Sequence, residues 1–243
     1  MRELVIILLA GCFLLAATGA FAQDEEAVEY GWKGKGEFGF VSTTGNTEST
    51  AVNMKLEFIK TSETWRHRFT GSALMTDEDG IKDNERYTLE AQSDRKLNET
   101  SYLFGAFRWD ADKFGAYDPQ MTLTAGYGRQ LMKSEKHELK GEIGAGYRTL
   151  EERETGESSS EPILRLLLDD SWQVLESTLW TNRLLVETGS DNTFTQFNTA
   201  AKVAMTEKLA ISVGFEVRNN SKLPPGDSES TDTITTVNLV YNF

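Results

Sequence analysis

Val237-Asn238-Leu239-Val240-Tyr241-Asn242-Phe243 closes the chain on an alternation that decides how the rest is read. Successive side chains of a β-strand point to opposite faces, so Val237, Leu239, Tyr241 and Phe243 share one face, which ends in an aromatic ring. A final amphipathic strand of this form resembles the terminal signal by which the barrel-assembly machinery takes up its clients. The expectation is that these four residues act as such an assembly signal.

Working back from this strand, the same period recurs along the chain. Val52, Met54, Leu56 and Phe58 alternate with Asn53, Lys55 and Glu57. Leu164, Leu166 and Leu168 oppose Arg165 and Asp169, while Leu139, Ile143, Ala145 and Tyr147 oppose Lys140, Glu142 and Arg148. Leu209, Ile211, Val213 and Phe215 oppose Glu216 and Arg218. Turn-rich segments of Gly, Asn, Asp, Ser and Thr separate such runs, and no helical stripe of useful length interrupts them.

Strands are predicted over 32 to 42, 48 to 61, 64 to 76, 85 to 97, 100 to 110, 120 to 132, 137 to 150, 161 to 174, 177 to 188, 193 to 205, 208 to 218 and 232 to 243. That makes about twelve, an even number as bacterial barrels require. Tight connections near Ser62-Glu63, Asn98-Glu99, Lys133 to Lys136, Leu175-Glu176 and Glu207 alternate with others. These are Thr43 to Thr47, Asp77 to Asn84, Ala111 to Pro119, Glu151 to Ser160, Gly189 to Asn192 and Asn219 to Thr231. Apart from the first and fifth, this second set is long, the pattern of short periplasmic turns and longer extracellular loops.

A charge on the lipid face of a barrel costs about 2–4 kcal/mol at the midplane for Arg or Lys, so a membrane barrel puts apolar residues outside and charges inside. With the terminal strand, this sorting predicts an all-β transmembrane antiparallel β-barrel in the outer membrane of a Gram-negative bacterium. Mean hydropathy is only −0.43, which excludes a helical membrane protein but suits a wall in which every second side chain faces lipid.

At the N-terminus, Met1-Arg2, an apolar run from Leu4 to Ala17 and Ala20-Phe21-Ala22 before Gln23-Asp24-Glu25-Glu26 match a cleaved signal peptide. The expected division is 1–22 signal peptide and 23–243 outer-membrane β-barrel. Leu9-Ala10-Gly11-Cys12 also has the form of a lipoprotein box, but the apolar stretch from Phe13 to Ala17 argues against processing there. Cys12 is the single cysteine, so its removal leaves no disulfide or thiolate metal site. The formal net charge of −13 argues against nucleic acid as a partner.

Gly36-Glu37-Phe38-Gly39-Phe40-Val41-Ser42-Thr43-Thr44-Gly45-Asn46-Thr47 resembles the opening strand and turn of the YdiY-like salt-induced outer-membrane protein family, a family of unknown function. The resemblance continues through Arg108-Trp109-Asp110-Ala111-Asp112-Lys113-Phe114, Ala125-Gly126-Tyr127-Gly128-Arg129, Gly144-Ala145-Gly146-Tyr147-Arg148 and the terminal strand. It covers essentially the whole mature chain. It implies an outer-membrane barrel with a link to salt stress, and supplies no catalytic residues.

The candidate lumen lining is Lys55, Glu57, Arg66, Arg68, Arg86, Glu90, Arg108, Glu142, Arg165, Asp169, Arg183, Glu216 and Arg218, basic and acidic groups together with an excess of basic ones. Further inward charges are expected at Lys33, Lys35, Glu37, Asp94, Asp110, Lys140, Arg148, Glu187 and Lys202. They are expected to fill the interior with ion pairs, or alternatively to line a small hydrophilic passage. Wide water channels need about sixteen strands.

Acids concentrate in the longer connections: Asp77, Glu78, Asp79, Asp83 and Glu85; Glu151, Glu152, Glu154, Glu157 and Glu161; and Asp227, Glu229 and Asp232. They read as a solvated, mutually repelling surface, with divalent cations or lipopolysaccharide as the alternative partners. Trp32, Trp65, Trp109, Trp172 and Trp180 read as an aromatic girdle in contact with outer-membrane lipid, the other reading being a sugar platform at Trp109 and Tyr117.

The expected function is a noncatalytic barrel without a cofactor, either a narrow passage for small solutes or a structural envelope component. The alternative is a barrel enzyme acting on envelope lipid or peptide. Its base would be His67 or His137, the two histidines of the chain.

Overall fold

The computed structural model describes residues 30–43, 49–223 and 230–243. The signal-peptide and lipoprotein readings at 1–22, and the loop acids Asp227 and Glu229, lie outside them. Among the described residues the secondary structure is twelve strands. They are β1 (Gly31–Thr43), β2 (Ser49–Thr61), β3 (Trp65–Glu78), β4 (Ile81–Lys96), β5 (Ser101–Asp112), β6 (Tyr117–Lys133), β7 (His137–Glu152), β8 (Ser158–Leu175), β9 (Thr178–Thr188), β10 (Thr193–Ala204), β11 (Leu209–Asn220) and β12 (Thr231–Asn242). Each strand pairs antiparallel with its sequence neighbours, and β12 closes on β1 to form a barrel.

Charged side chains occupy the inside of the wall and apolar ones the outside, the reverse of a soluble fold. Arg148, Glu187 and Arg165 are 0%, 2% and 4% exposed, whereas Ile143, Leu164 and Leu123 are 63–65% exposed. Register carries the sorting around the wall, because cross-strand partners share a face: Ile143 pairs with Leu166, and Leu166 with Val186. Closure leaves no sheet edge for lipid to meet, so backbone groups bond to neighbouring strands rather than to absent water.

The seam is the short ladder. β1 and β2 run in register from Gly31–Thr61 to Thr43–Ser49, but β1 meets β12 only from Lys35–Asn242 to Phe38–Leu239. Phe243 prolongs it: its N–H donates to the Gly34 carbonyl at 2.9 Å, and its carbonyl accepts from the Gly34 N–H at 2.8 Å. On the outer face its ring lies against Phe58 (5.9 Å between centroids) and Tyr241 (6.0 Å), covering Gly34, where a side chain would collide with it.

The glycine–aromatic alternation of β6 and β7 has a packing cause. Tyr127 and Tyr147 are exposed on the outer face. Inside, a Cβ on Gly128 would collide with the Tyr102 ring, and one on Gly144 would stand 2.9 Å from Cζ of Phe104. The missing side chains make room for two rings from β5 inside the barrel.

The connections depart from expectation. In place of the loop expected over Asp77 to Asn84, the strands run through most of the segment and turn at Asp79-Gly80, both with positive φ (52° and 78°). Asp-Gly is the type I′ hairpin dipeptide, and Asp77 Oδ1 accepts the Gly80 N–H at 3.0 Å. The Ala111–Pro119 and Glu151–Ser160 loops likewise shrink to 113–116 and 153–157. Polar residues there continue the strands upward, because a ladder satisfies backbone groups whatever the side chains are. Two acids assigned to the solvated loop surface are therefore paired within strands. Glu161 is inward, 3% exposed, and meets Arg148, while Glu85, on the face opposite Arg86, is 6% exposed and meets Lys82 and Lys113.

Candidate functional site: the barrel lumen

Alternation aims one side chain in two at the axis, so the site is assembled from all twelve strands at once. At the level nearer the chain termini, Lys35 of β1 lies 3.2 Å from Glu37 and 3.3 Å from Glu57 of β2, which Arg68 of β3 approaches at 3.8 Å. Lys55 is half-buried on the same face of β2. Arg66 donates to Asp94 at 2.6 Å.

Glu142 gathers donors from three strands: Arg165 at 2.6 Å, Tyr102 at 2.8 Å and Gln92 at 2.8 Å. The guanidinium of Arg165 also lies over the Phe104 ring, 4.8 Å from its centroid. This carboxylate is held by charge-assisted hydrogen bonds on both oxygens.

Higher in the lumen the contacts cross the barrel. Arg183 of β9 reaches Glu90 of β4 at 3.6 Å and Asp169 of β8 at 3.9 Å. Arg86 of β4 meets Asp112 at 2.6 Å and reaches Glu216 of β11 at 3.3 Å. Asp110 of β5 stands between Arg108 (2.5 Å) and Arg218 of β11 (3.3 Å), and also accepts the Thr88 hydroxyl at 2.7 Å. Both arginines approach the Phe194 ring, with guanidinium carbons 4.7 Å and 5.9 Å from its centroid. A cation over an aromatic face is attracted by the ring quadrupole, so Phe194 serves as a hub for both charges.

This layer separates two spaces. Toward the connections following odd-numbered strands lies a vestibule of about 390 Å³, lined among others by Asp112, Tyr117, Arg153 and Asp232. Below lies a cavity of about 30 Å³ lined by Arg68, Glu90, Arg108, Thr122, Arg183 and Glu187. In the 113–116 connection, the hydrogen bond of Lys113 with Glu85 raises its pKa above the usual lysine value.

Sequence reasoning missed the apolar inward side chains. Phe194 is 3% exposed and packs with Leu167 and Leu185 inside the barrel. Leu166-Leu167-Leu168 is apolar on both faces, which was the available signal; Phe194 and Phe197 have opposite parity in one strand, and sequence does not tell which ring turns in.

Both histidines lie on the outer face beside tryptophans, away from the lumen charges. Nδ1 of His67 is 2.9 Å from the Ser93 hydroxyl, and its ring stacks on Trp65. Nε2 of His137 is 2.5 Å from Asp170, while Ser134 bonds the His137 backbone rather than its ring. Trp109 and Tyr117 do not form a platform: Trp109 shares the outer-face row of Met121, whereas Tyr117 lines the vestibule. Among the described residues, no group of three or more His, Cys, Asp or Glu side chains converges on a metal position.

Solved structures share this architecture. An outer-membrane channel from Pseudomonas putida F1 aligns at TM-score 0.53 with 13% identity, covering 93% of this chain and all of that one. The NanC porin aligns at TM-score 0.51 with 7% identity, covering 86% and 98%. At such identities the likeness is one of fold, that of a Gram-negative outer-membrane barrel. In sequence, the uncharacterized protein YdiY of Escherichia coli (strain K12) is 26% identical over 98% of this chain and 96% of its own length. The family described as a protein of unknown function, DUF481, matches residues 36–243, so the chain belongs to the DUF481 family.

Proposed function

We propose that this protein is a noncatalytic outer-membrane barrel that gives small polar solutes a narrow passage, closed at rest by a single layer of side chains. The observation that carries the reading is the pair of spaces on either side of Arg108, Asp110, Arg218 and Phe194. Arg108 and Arg218 share the Asp110 carboxylate and the Phe194 ring, and displacement of Phe194 is the movement that would join vestibule and cavity in this reading. A structural component would be served equally well by a lumen packed throughout; an open vestibule of about 390 Å³ ending on side chains rather than on backbone favours a passage. A link to salt stress rests on family resemblance and has no residue assigned to it.

Planar-bilayer recording on the refolded protein tests the reading. Wild type is expected to show small, brief openings, and Phe194→Ala larger and longer ones. Silence from both variants, each folded by its heat-modifiable mobility, would refute the passage and leave the structural role. Catalysis predicts a different result: turnover of labelled envelope lipid that His67→Ala or His137→Ala abolishes.

A further inference from the structure

The inner cavity contains more unmet donors than a balanced ion-pair lattice explains. Nη1 and Nη2 of Arg108, Nε of Arg68 and the hydroxyl of Thr122 are buried, and none has a hydrogen-bond partner among the described residues. Arg108 and Thr122 are 6% and 3% exposed. Nε of Arg108 lies 2.5 Å from Asp110, but this contact leaves its two terminal nitrogens unoccupied. Arg183 holds its acids at only 3.6 Å and 3.9 Å, too long for hydrogen bonds. One acceptor in the lining is also unmet, Oε2 of Glu187, and Glu90 adds a second carboxylate. These set a limit on how much negative charge the cavity accepts.

Buried donors left unpaired cost free energy, and the cost is largest for charged ones. An occupant that repairs it must present acceptor oxygens. Size narrows the choice: one water needs roughly 10–15 Å³ of such volume, so a cavity of about 30 Å³ holds a group of two or three heavy atoms. A planar carboxylate group, three heavy atoms, fits with the rest of its acid projecting through the open side of the cavity, and its two oxygens match the fork of a guanidinium. A phosphate or a sugar ring is too large.

We propose that the cavity is a binding site for the carboxylate group of a small organic acid, with Arg108 as the principal ligand and Thr122, Arg68 and Arg183 around it. This rests on the passage reading only for its physiological meaning, namely that small organic acids are among the solutes carried; the site itself is testable without conduction.

The test is calorimetric titration of the folded barrel in detergent with sodium acetate, against sodium chloride and methylammonium chloride at equal ionic strength, alongside reversal potentials in a potassium acetate gradient. Acetate is expected to bind wild type, and methylammonium not to bind. Arg108→Gln should weaken acetate binding about tenfold or more, the factor for losing a charge-assisted hydrogen bond. Arg183→Gln, at a more exposed position, keeps the test available if Arg108→Gln fails to fold, and should weaken binding less.

Acetate binding lost in these variants by a barrel that never conducts would uphold the site and refute the passage. A conducting barrel that binds no acetate and prefers neither ion sign would uphold the passage and refute the site. Affinity unchanged in both folded variants, or heats no greater than those of chloride, would overturn the assignment and leave water as the occupant.

Discussion

Replacing Leu166 by arginine tests the inverted wall at its most sensitive point. Leu166 lies midway along β8, on the outer face and 43% exposed, in a row with Ile143 and Val186. Trp172, six residues on along the same face, stands where the girdle is expected. A strand rises about 3.3 Å per residue and tilts by roughly 40°, so six residues climb about 15 Å along the membrane normal. The apolar band is about 25 Å tall, which places Leu166 near the midplane. Guanidinium there finds neither water nor an acid on its own face, and the expected loss is about 2–4 kcal/mol. Ser160, six residues the other way on the same face, stands about 15 Å higher, and Ser160→Arg should cost about 0–1 kcal/mol. Reversible urea unfolding in phospholipid vesicles, followed by tryptophan fluorescence and heat-modifiable mobility, measures both. If Leu166→Arg costs no more than Ser160→Arg, the face is not in lipid and the membrane assignment of β8 fails.

Single cysteines at 164, 166 and 168 should react with a lipid-soluble maleimide and resist a charged one in intact outer membranes, and one at 165 should not follow them; free access of the charged reagent to all three would refute the register. Cys12 is the only native thiol, so it competes only if the leader is retained. Deleting Phe243 should lower assembled barrel in the outer membrane far more than Thr155→Asp in the 153–157 connection, and equal amounts would remove Phe243 from any assembly role. Hydrogen exchange in detergent should be faster in Gly39–Thr43 and Thr231–Asn238 than in the centres of β6 and β7, because the β1–β12 ladder stops at Phe38–Leu239; uniform protection around the barrel would contradict a weak seam.

What the sequence by itself determined is the wall. A period of two is a local property, so the inward placement of Arg165, Glu142 and Arg218 and the outward placement of Leu166, Ile143 and Phe215 could be read before any strand was paired. Turn chemistry is also local, but at Asp79-Gly80 the surrounding charges pointed to a long loop, and the tight hairpin there emerges only from the strand pairing. What only the tertiary structure decided is who meets whom across the lumen. Arg86 and Glu216 are 130 residues apart, and Arg218 and Asp110 are 108 apart. Their meeting depends on strand number, tilt and closure, which no single strand encodes. The same holds for the ring of Phe194 between two guanidiniums, the vestibule above it and the short β1–β12 seam: each exists because the sheet closes on itself and brings distant segments together.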